Sequence, residues 1–319
     1  MKQLFSCLMI LCMVRSGYAH PGIGIVCDSR GNIYYTDLAN IWKITPSGIK
    51  TIVVRSVHSH ELSIDRDDNL YGEHLWFTGG TANSWGHYFW CLKKNGQLVK
   101  TTEAANGYTD NNGLLRDNAN NVYWVERFTI SRFKKKTLKG VISTVGEGKF
   151  NDIRWTYCNK AGFIFFADED KLYRLAPDGE FNLLASNLDE KGIARTGIER
   201  REVYGIWTDQ QENIYTAVFN LKAIKRITPG GKVEIVYQSS NTWTPVSGLF
   251  DKNGDMWIME NSNSNEVRVQ KINVNPVAQD ISTHSFGGYL FPGLIVLISL
   301  FVLVNPGRTI ISAKQKMAA

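Results

Sequence analysis

Short apolar or alternating runs follow one another along most of the chain, each bounded by Gly, Asn, Asp or Pro. Runs of this length between turn residues predict β-strands. The first set reads Gly24-Ile-Val-Cys-Asp28, Ser-Arg-Gly-Asn32 and Ile-Tyr-Tyr-Thr-Asp37. It continues through Ile41-Trp-Lys-Ile-Thr-Pro46, a turn at Ser47-Gly48, and Ile49 to Val54. Together these pieces predict four antiparallel strands joined by tight turns.

The same register returns five times. Glu61-Leu-Ser-Ile-Asp65 precedes Asn69-Leu-Tyr-Gly-Glu-His74, and Gly113-Leu-Leu-Arg-Asp117 precedes Asn121-Val-Tyr-Trp-Val-Glu126. A looser copy pairs Asn151-Asp-Ile-Arg-Trp155 with Gly162-Phe-Ile-Phe-Phe-Ala-Asp168. Gly205-Ile-Trp-Thr-Asp209 leads to Asn213-Ile-Tyr-Thr-Ala-Val218, and Gly248-Leu-Phe-Asp251 to Met256-Trp-Ile-Met-Glu260. Four strands repeating at about 40–50 residues predict an all-β, six-bladed propeller. The aligned Asp28, Asp65, Asp117, Asp209 and Asp251 are expected to cap the turn between the first and second strands of each blade. Tyr34, Tyr71, Tyr123, Phe165, Tyr215 and Trp257 recur at one strand position and are expected to pack between blades.

Both ends depart from this pattern. Residues 1–19 combine Lys2, an apolar stretch from Leu4 to Val14, and small residues before Ala19, the layout of a signal peptide. Residues 287–304 carry no charge and would reach about 27 Å as a helix, which predicts one C-terminal transmembrane helix. Arg308, Lys314 and Lys316 follow it, placing the tail over 305–319 in the cytoplasm. The propeller then occupies 20–281 with a short linker over 282–286, exported and held on the extracytoplasmic side of a cell-envelope membrane. Three cysteines remain after cleavage, Cys27, Cys91 and Cys158; one bridge among them is open, and no disulfide framework is implied.

Net charge is +6 over 319 residues, partly from the two ends, with no basic cluster in the middle that calls for nucleic acid. Lys134-Lys135-Lys136 is the one local run, expected as a solvated turn. The chemistry is better sought where the first strand starts and the second ends, since both open on the same face around the channel. The starts are Ile23-Gly24, His60-Glu61, Asn112-Gly113, Asn151-Asp152, Tyr204-Gly205 and Ser247-Gly248; the ends are Asp37, His74, Glu126, Asp168, Val218 and Glu260. Like charges gathered there raise one another's pKa or recruit a cation. Glu61, Asn112, Asn151 and Asp152 supply oxygen donors suited to one divalent ion, Ca²⁺ or Zn²⁺. His58, His60 and His74 all fall in the second blade, and His60, His74 and Glu126 are the acid–base candidates.

The repeat resembles the NHL-repeat and senescence-marker/gluconolactonase class of six-bladed propellers over nearly all of 20–281. Asn112-Gly113-Leu114 is similar to that class's Asn-Gly element and Phe150-Asn151-Asp152 to its Phe-Asn-Asp element, with Glu61 in place of its first-blade Glu. The two elements stand in the opposite order here, and Tyr204-Gly205 and Ser247-Gly248 replace the later Asp-Gly element. The resemblance implies a lactone or ester hydrolase in which one divalent cation activates water or polarises the carbonyl. A propeller lyase using histidine and a carboxylate fits His60, His74 and Glu126 equally well. The leading expectation is a binding module, taking a small molecule or a protein through the channel-mouth face, with Trp85, Tyr88, Trp90 and Trp243 in or near irregular connections.

Overall fold

The computed structural model describes residues 21–79, 85–107, 114–190, 203–239 and 242–272. The chain divides into two compact units, Met1–Val277 and Ala278–Ala319, and every described residue belongs to the first. The predicted signal peptide and transmembrane helix lie outside the described residues. Among the described residues no helix is long and apolar enough to cross a membrane.

Six antiparallel sheets are laid down in strict chain order. Blade 1 comprises β1 (Ile25–Cys27), β2 (Ile33–Thr36), β3 (Asn40–Ile44) and β4 (Lys50–Arg55). Blade 2 comprises β5 (Leu62–Ile64), β6 (Leu70–Phe77), β7 (Trp85–Leu92) and β8 (Leu98–Lys100), with β9 (Ala105–Asn106) added on β7. Blade 3 follows as β10 (Leu115–Arg116), β11 (Val122–Glu126), β12 (Ser131–Lys136) and β13 (Ile142–Gly148). In blade 4 are β14 (Ile153–Cys158), β15 (Ile164–Asp168), β16 (Lys171–Leu175) and β17 (Phe181–Ala185). Blade 5 holds β18 (Val203–Thr208), β19 (Ile214–Val218), β20 (Ala223–Ile227) and β21 (Val233–Gln238). Blade 6 has three strands among the described residues: β22 (Trp243–Phe250), β23 (Met256–Ser262) and β24 (Val267–Ile272). Each first strand packs on the first strands of the neighbouring blades, β1 on β5, β5 on β10, then β14, β18 and β22, and β22 returns to β1. The fold is a closed six-bladed β-propeller.

Each blade starts with the same turn. Asp209 shows its construction: Oδ1 accepts the amides of Gln211 and Asn213, while Oδ2 accepts Asn213 Nδ2 at 2.7 Å and the Tyr215 hydroxyl at 2.9 Å. Asp28, Asp65 and Asp117 repeat the arrangement with Tyr34, Tyr71 and Tyr123. Asp251 repeats it with the Trp257 indole N–H. In five blades the aromatic residue therefore ties the second strand to the turn before it, a bond that packing alone did not predict; Phe165 of blade 4 has no donor to give. In the looser blade 4, Asn159 takes the position and caps the amides of Ala161 and Phe163. Burial alone would raise the Asp117 carboxyl, but the bonds from Asn121, Tyr123 and two amides outweigh it and hold the pKa below the usual range.

The turns also join neighbouring blades. Ser29 gives its amide and hydroxyl to Asp68, and the Arg66 amide reaches Asn120. On the mouth face, the Ile23 and Gly24 amides both donate to the His60 carbonyl at 2.8 Å, fixing the start of blade 1 against the start of blade 2. One expectation is corrected here. Lys134-Lys135-Lys136 is no turn but the end of β12, paired with β11 and β13. Its side chains are accommodated because Lys135 sits over the Tyr123 ring and Lys134 Nζ donates to Thr144.

Asp209→Ala removes the acceptor for four donors and is expected to lower the unfolding free energy by about 2–4 kcal/mol in urea titrations. Asp178→Ala, which removes one bond in an exposed turn, should cost under about 1 kcal/mol. Equal losses would show that the Asp column is not the structural cap.

Candidate functional site

The ring of second-strand ends dissolves into local bonds once side chains are traced. Asp37 accepts the amides of Ala39 and Asn40 and the Trp42 indole N–H. Asp168 accepts the amides of Asn151 and Asp152 at 2.9 and 2.7 Å, bracing the start of blade 4. Glu260 is fully buried and takes four donors, from Tyr237, Ser239, Arg268 and Gln270. Glu126 stands at the end of β11 opposite Arg132, and the equivalent position of blade 5 is the buried Val218. Asp37, Asp168 and Glu260 therefore do structural work where the sequence pattern suggested a shared acidic mouth.

One position inward, the pattern is broken. Eight residues after each turn cap stand Thr36, Glu73, Val125, Ala167, Ala217 and Met259, every one buried. Strand alternation aims this column into the body of the propeller, so small or apolar residues fill it. Glu73 is the exception, and only 3% exposed. Its Oε1 accepts the amides of His60, in a short bond, and of Glu61 at 3.2 Å. Its Oε2 has no hydrogen-bond partner among the described residues. The His60 ring lies close, with Nδ1 3.8 Å from Oε1, and Glu61 itself is buried at 7% exposure. Burial first, and then the charge of Glu61, push the Glu73 carboxyl up to about 8, against the opposing pull of the two amides. The side chain is thus a neutral acid at neutral pH, pinned by one oxygen and open at the other.

Of the histidines, His60 lies beside Glu73, and the other two are linked to it and to each other. His58 and His60 meet edge to face with ring centroids 4.7 Å apart, and the His58 amide donates to Nδ1 of His74 at 2.9 Å. That bond requires an acceptor nitrogen on His74, the neutral tautomer with its proton on Nε2. Burial lowers the pKa of His58; burial, then His58 and Lys100, lower that of His74. His74 also stacks on Trp76 and leans on Tyr88, and Lys100 Nζ lies 4.4 Å above the Tyr88 ring. Tyr88 and Trp90 lie inside β7, which corrects the expectation of irregular connections for those two, whereas Trp85 begins β7 and Trp243 begins β22. Trp90 is a core residue whose indole N–H holds the Glu73 carbonyl at 2.9 Å, and Gly72 opposite it leaves the space its ring fills.

Of the proposed metal donors, Glu61 faces the Glu73 site, whereas Asn151 is exposed and Asp152 is tied to Arg154 Nε at 2.5 Å. Asn112 lies outside the described residues. No three His, Cys, Asp or Glu side chains among the described residues come close enough to hold a metal ion. Among the described donors, Asp152 is already engaged by Arg154. Cys27, Cys91 and Cys158 are free thiols, and burial, helped by nearby Asp charges, pushes Cys27 up to about 11 and Cys158 up to about 12. The sequence singled out His60 and Glu61, which the fold places beside Glu73, and His74, which stands on the opposite face of β6, but missed Glu73. The signal was available: one glutamate in an aligned column otherwise filled by Thr, Val, Ala and Met.

No family model matches this chain, and no curated protein matches it either. Solved structures do match. A protein of unknown function from Bacteroides thetaiotaomicron is 14% identical over 77% of this chain and 68% of its own, with a TM-score of 0.54. A putative gluconolactonase is 12% identical over 79% and 90%, with a TM-score of 0.53. The calcium-binding protein regucalcin from Agrobacterium tumefaciens is 13% identical over 75% and 81%, with a TM-score of 0.51. At these identities the likeness is one of fold: the chain is a six-bladed propeller of the architecture found in gluconolactonase-like proteins.

Glu73 sets a pH dependence whose sign follows from its direction of shift. The folded state holds the proton up to about pH 8, while the unfolded chain releases it near the ordinary glutamate value of 4.5. Between those limits the folded state binds more protons, so stability falls as pH rises. Urea midpoints should therefore decline from pH 5 to about pH 8. Glu73→Gln, a permanent mimic of the neutral acid, should flatten that decline. An unchanged slope in the variant would mean that Glu73 ionises normally.

Proposed function

We propose that this chain is an exported propeller, held at a membrane by its C-terminal apolar segment, whose mouth face binds a small ligand at blade 2. The observation that carries the reading is Glu73, a buried carboxyl with one oxygen held by two amides and the other without a partner among the described residues. Buried polar atoms are ordinarily satisfied, and exceptions concentrate where a ligand or a reaction completes the set. His60, Glu61 and His58 supply further polar contacts beside it. The membrane part of the proposal draws on the uncharged run over 287–304 and the basic residues after it.

A second reading, hydrolysis of a small ester or lactone, is favoured by one specific feature. A carboxylic acid neutral near pH 7 beside a histidine is a matched acid–base pair. His60 would take a proton from water as its oxygen bonds to the carbonyl carbon, and Glu73 would protonate the leaving alkoxide as the C–O bond breaks. Lactone and ester panels on the full-length chain, with and without Ca²⁺ or Zn²⁺, separate the two readings. Ligand-induced thermal shifts that weaken in Glu73→Gln, with no turnover in either protein, are the outcome for a binding module. Turnover that falls by about 10²-fold or more in Glu73→Gln would establish the hydrolase instead. Neither shifts nor turnover would leave the mouth without a small ligand.

Fractionation tests the tether. The full-length chain should stay with membranes after alkaline carbonate washing, and removal of 287–319 should release it. Release of the intact chain would mean that the apolar segment is not a membrane anchor.

A further inference from the structure

On the face opposite the mouth, a cleft of about 170 Å³ opens between the turns of blades 1 and 2. Tyr34 and Lys43 pair across β2 and β3 and so share one face of blade 1. That face looks toward blade 2, where Tyr34 and Val53 join the cluster that holds Leu70 and Leu92. The turns add charge to this lining, Arg30 from blade 1 and Lys93 and Lys94 from blade 2. Its two acids are already engaged. Asp68 accepts the amide and hydroxyl of Ser29 from blade 1 and Lys94 Nζ at 2.8 Å, which ties the blades together beside the cleft. Asp28 is bound by its own turn and by the Tyr34 hydroxyl.

A comparison of blades shows what is left over. The third-strand residue opposite the aromatic column is Lys43, Cys91, Lys135, Arg174, Arg226 and Lys271 in turn. The other basic members are answered: Arg226 by Glu234, Lys271 by Asp255, Arg174 by Asn182 and Lys135 by the Tyr123 ring. Lys43 is half-buried on the cleft and has no such partner among the described residues. Arg30 and Lys93 likewise form no ion pair among them.

We propose that this cleft binds the dianion of a small phosphate monoester, at a site separate from the mouth. Four cations, Arg30, Lys43, Lys93 and Lys94, face two carboxylates, Asp28 and Asp68, which leaves the lining at +2. A phosphate monoester above its second pKa of about 6 brings the matching charge. Arg30 offers a planar fork to two of its oxygens, and the lysines act as point charges around the third. The organic group is small and apolar, because Val53, Leu70 and Leu92 complete the lining and an apolar cavity of about 150 Å³ holds one benzene. A carboxylate or a sulfate ester carries one charge and leaves the second unmet. The same phosphate chemistry is offered by a soluble ester and by a lipid whose headgroup is a terminal phosphate.

The probes are phenyl phosphate, phenyl sulfate, benzoate and phenol, titrated by calorimetry into the full-length chain in neutral detergent at about pH 7.5 and about 0.15 M salt. Phenyl phosphate is expected to bind at least about tenfold tighter than phenyl sulfate or benzoate, and phenol not at all. Arg30→Gln and Lys43→Gln should each weaken it by about tenfold or more, the size of one charged hydrogen bond. Lys139→Gln removes the same charge from an exposed turn of blade 3 and should leave the affinity within about twofold. Micelles doped with phosphatidate or with phosphatidylcholine separate the sources. Phosphatidate that displaces phenyl phosphate, and loses its hold in Lys43→Gln, assigns the ester to a lipid headgroup; phenyl phosphate bound undisturbed assigns it to a soluble ester. Benzoate binding as tightly as phenyl phosphate, an equal loss in Lys139→Gln and Lys43→Gln, or no binding of either phosphate ester would each overturn the inference.

Discussion

A carboxylate placed at the turn between the first and second strands is the interaction on which this propeller depends. It satisfies two backbone amides that a tight turn would otherwise leave without partners, and it reaches the aromatic six residues further on. One side chain thereby fixes the turn, the register of the hairpin and the position of a large ring in the wedge between blades. Repeated around the circle, it makes each blade a self-contained unit. The ring then closes by packing, β22 against β1, with inter-blade bonds such as Ser29 to Asp68 holding neighbouring turns together.

Against that regularity, blade 2 stands apart. Its second and third strands run eight residues each, and their hairpin carries His74, Trp76, Tyr88 and Trp90 on one face. Glu73 lies on the other face, in a column that every other blade fills without charge. A buried acid there is costly, and its surroundings do little to relieve it: two amides on one oxygen, a second acid beside it, and a ring nitrogen at 3.8 Å. Local violations of a repeat's own rule are where function is to be sought, because the rule by itself would have removed them.

The comparison of blades also explains which site residues could be read in advance. His60, Glu61 and His74 were legible because they flank the strand ends that any propeller turns toward its mouth. Asp37, Asp168 and Glu260 looked equivalent to them and are not, because each finds donors on its own blade, and the demand of those amides, indoles and guanidinium groups is invisible in a string of letters. Asp152 is withdrawn in the same way by Arg154, only two residues away. Glu73 was passed over for the opposite reason: it stands one residue inside the strand end, outside the ring that was read, and its burial beside Glu61 appears only in the fold.

The sequence alone determined the architecture. The cap, the aromatic six positions later and the turn glycines are short-range features, so each blade is encoded within its own 40–50 residues, and repetition supplies the count. It also determined the unlike character of the two ends through their uncharged runs. The state of each charge was decided only by the tertiary structure. Whether a carboxylate is spent on its own backbone or left waiting depends on strands brought together across a blade and on how much water the packing removes. Both are properties of the closed ring and not of any segment in it.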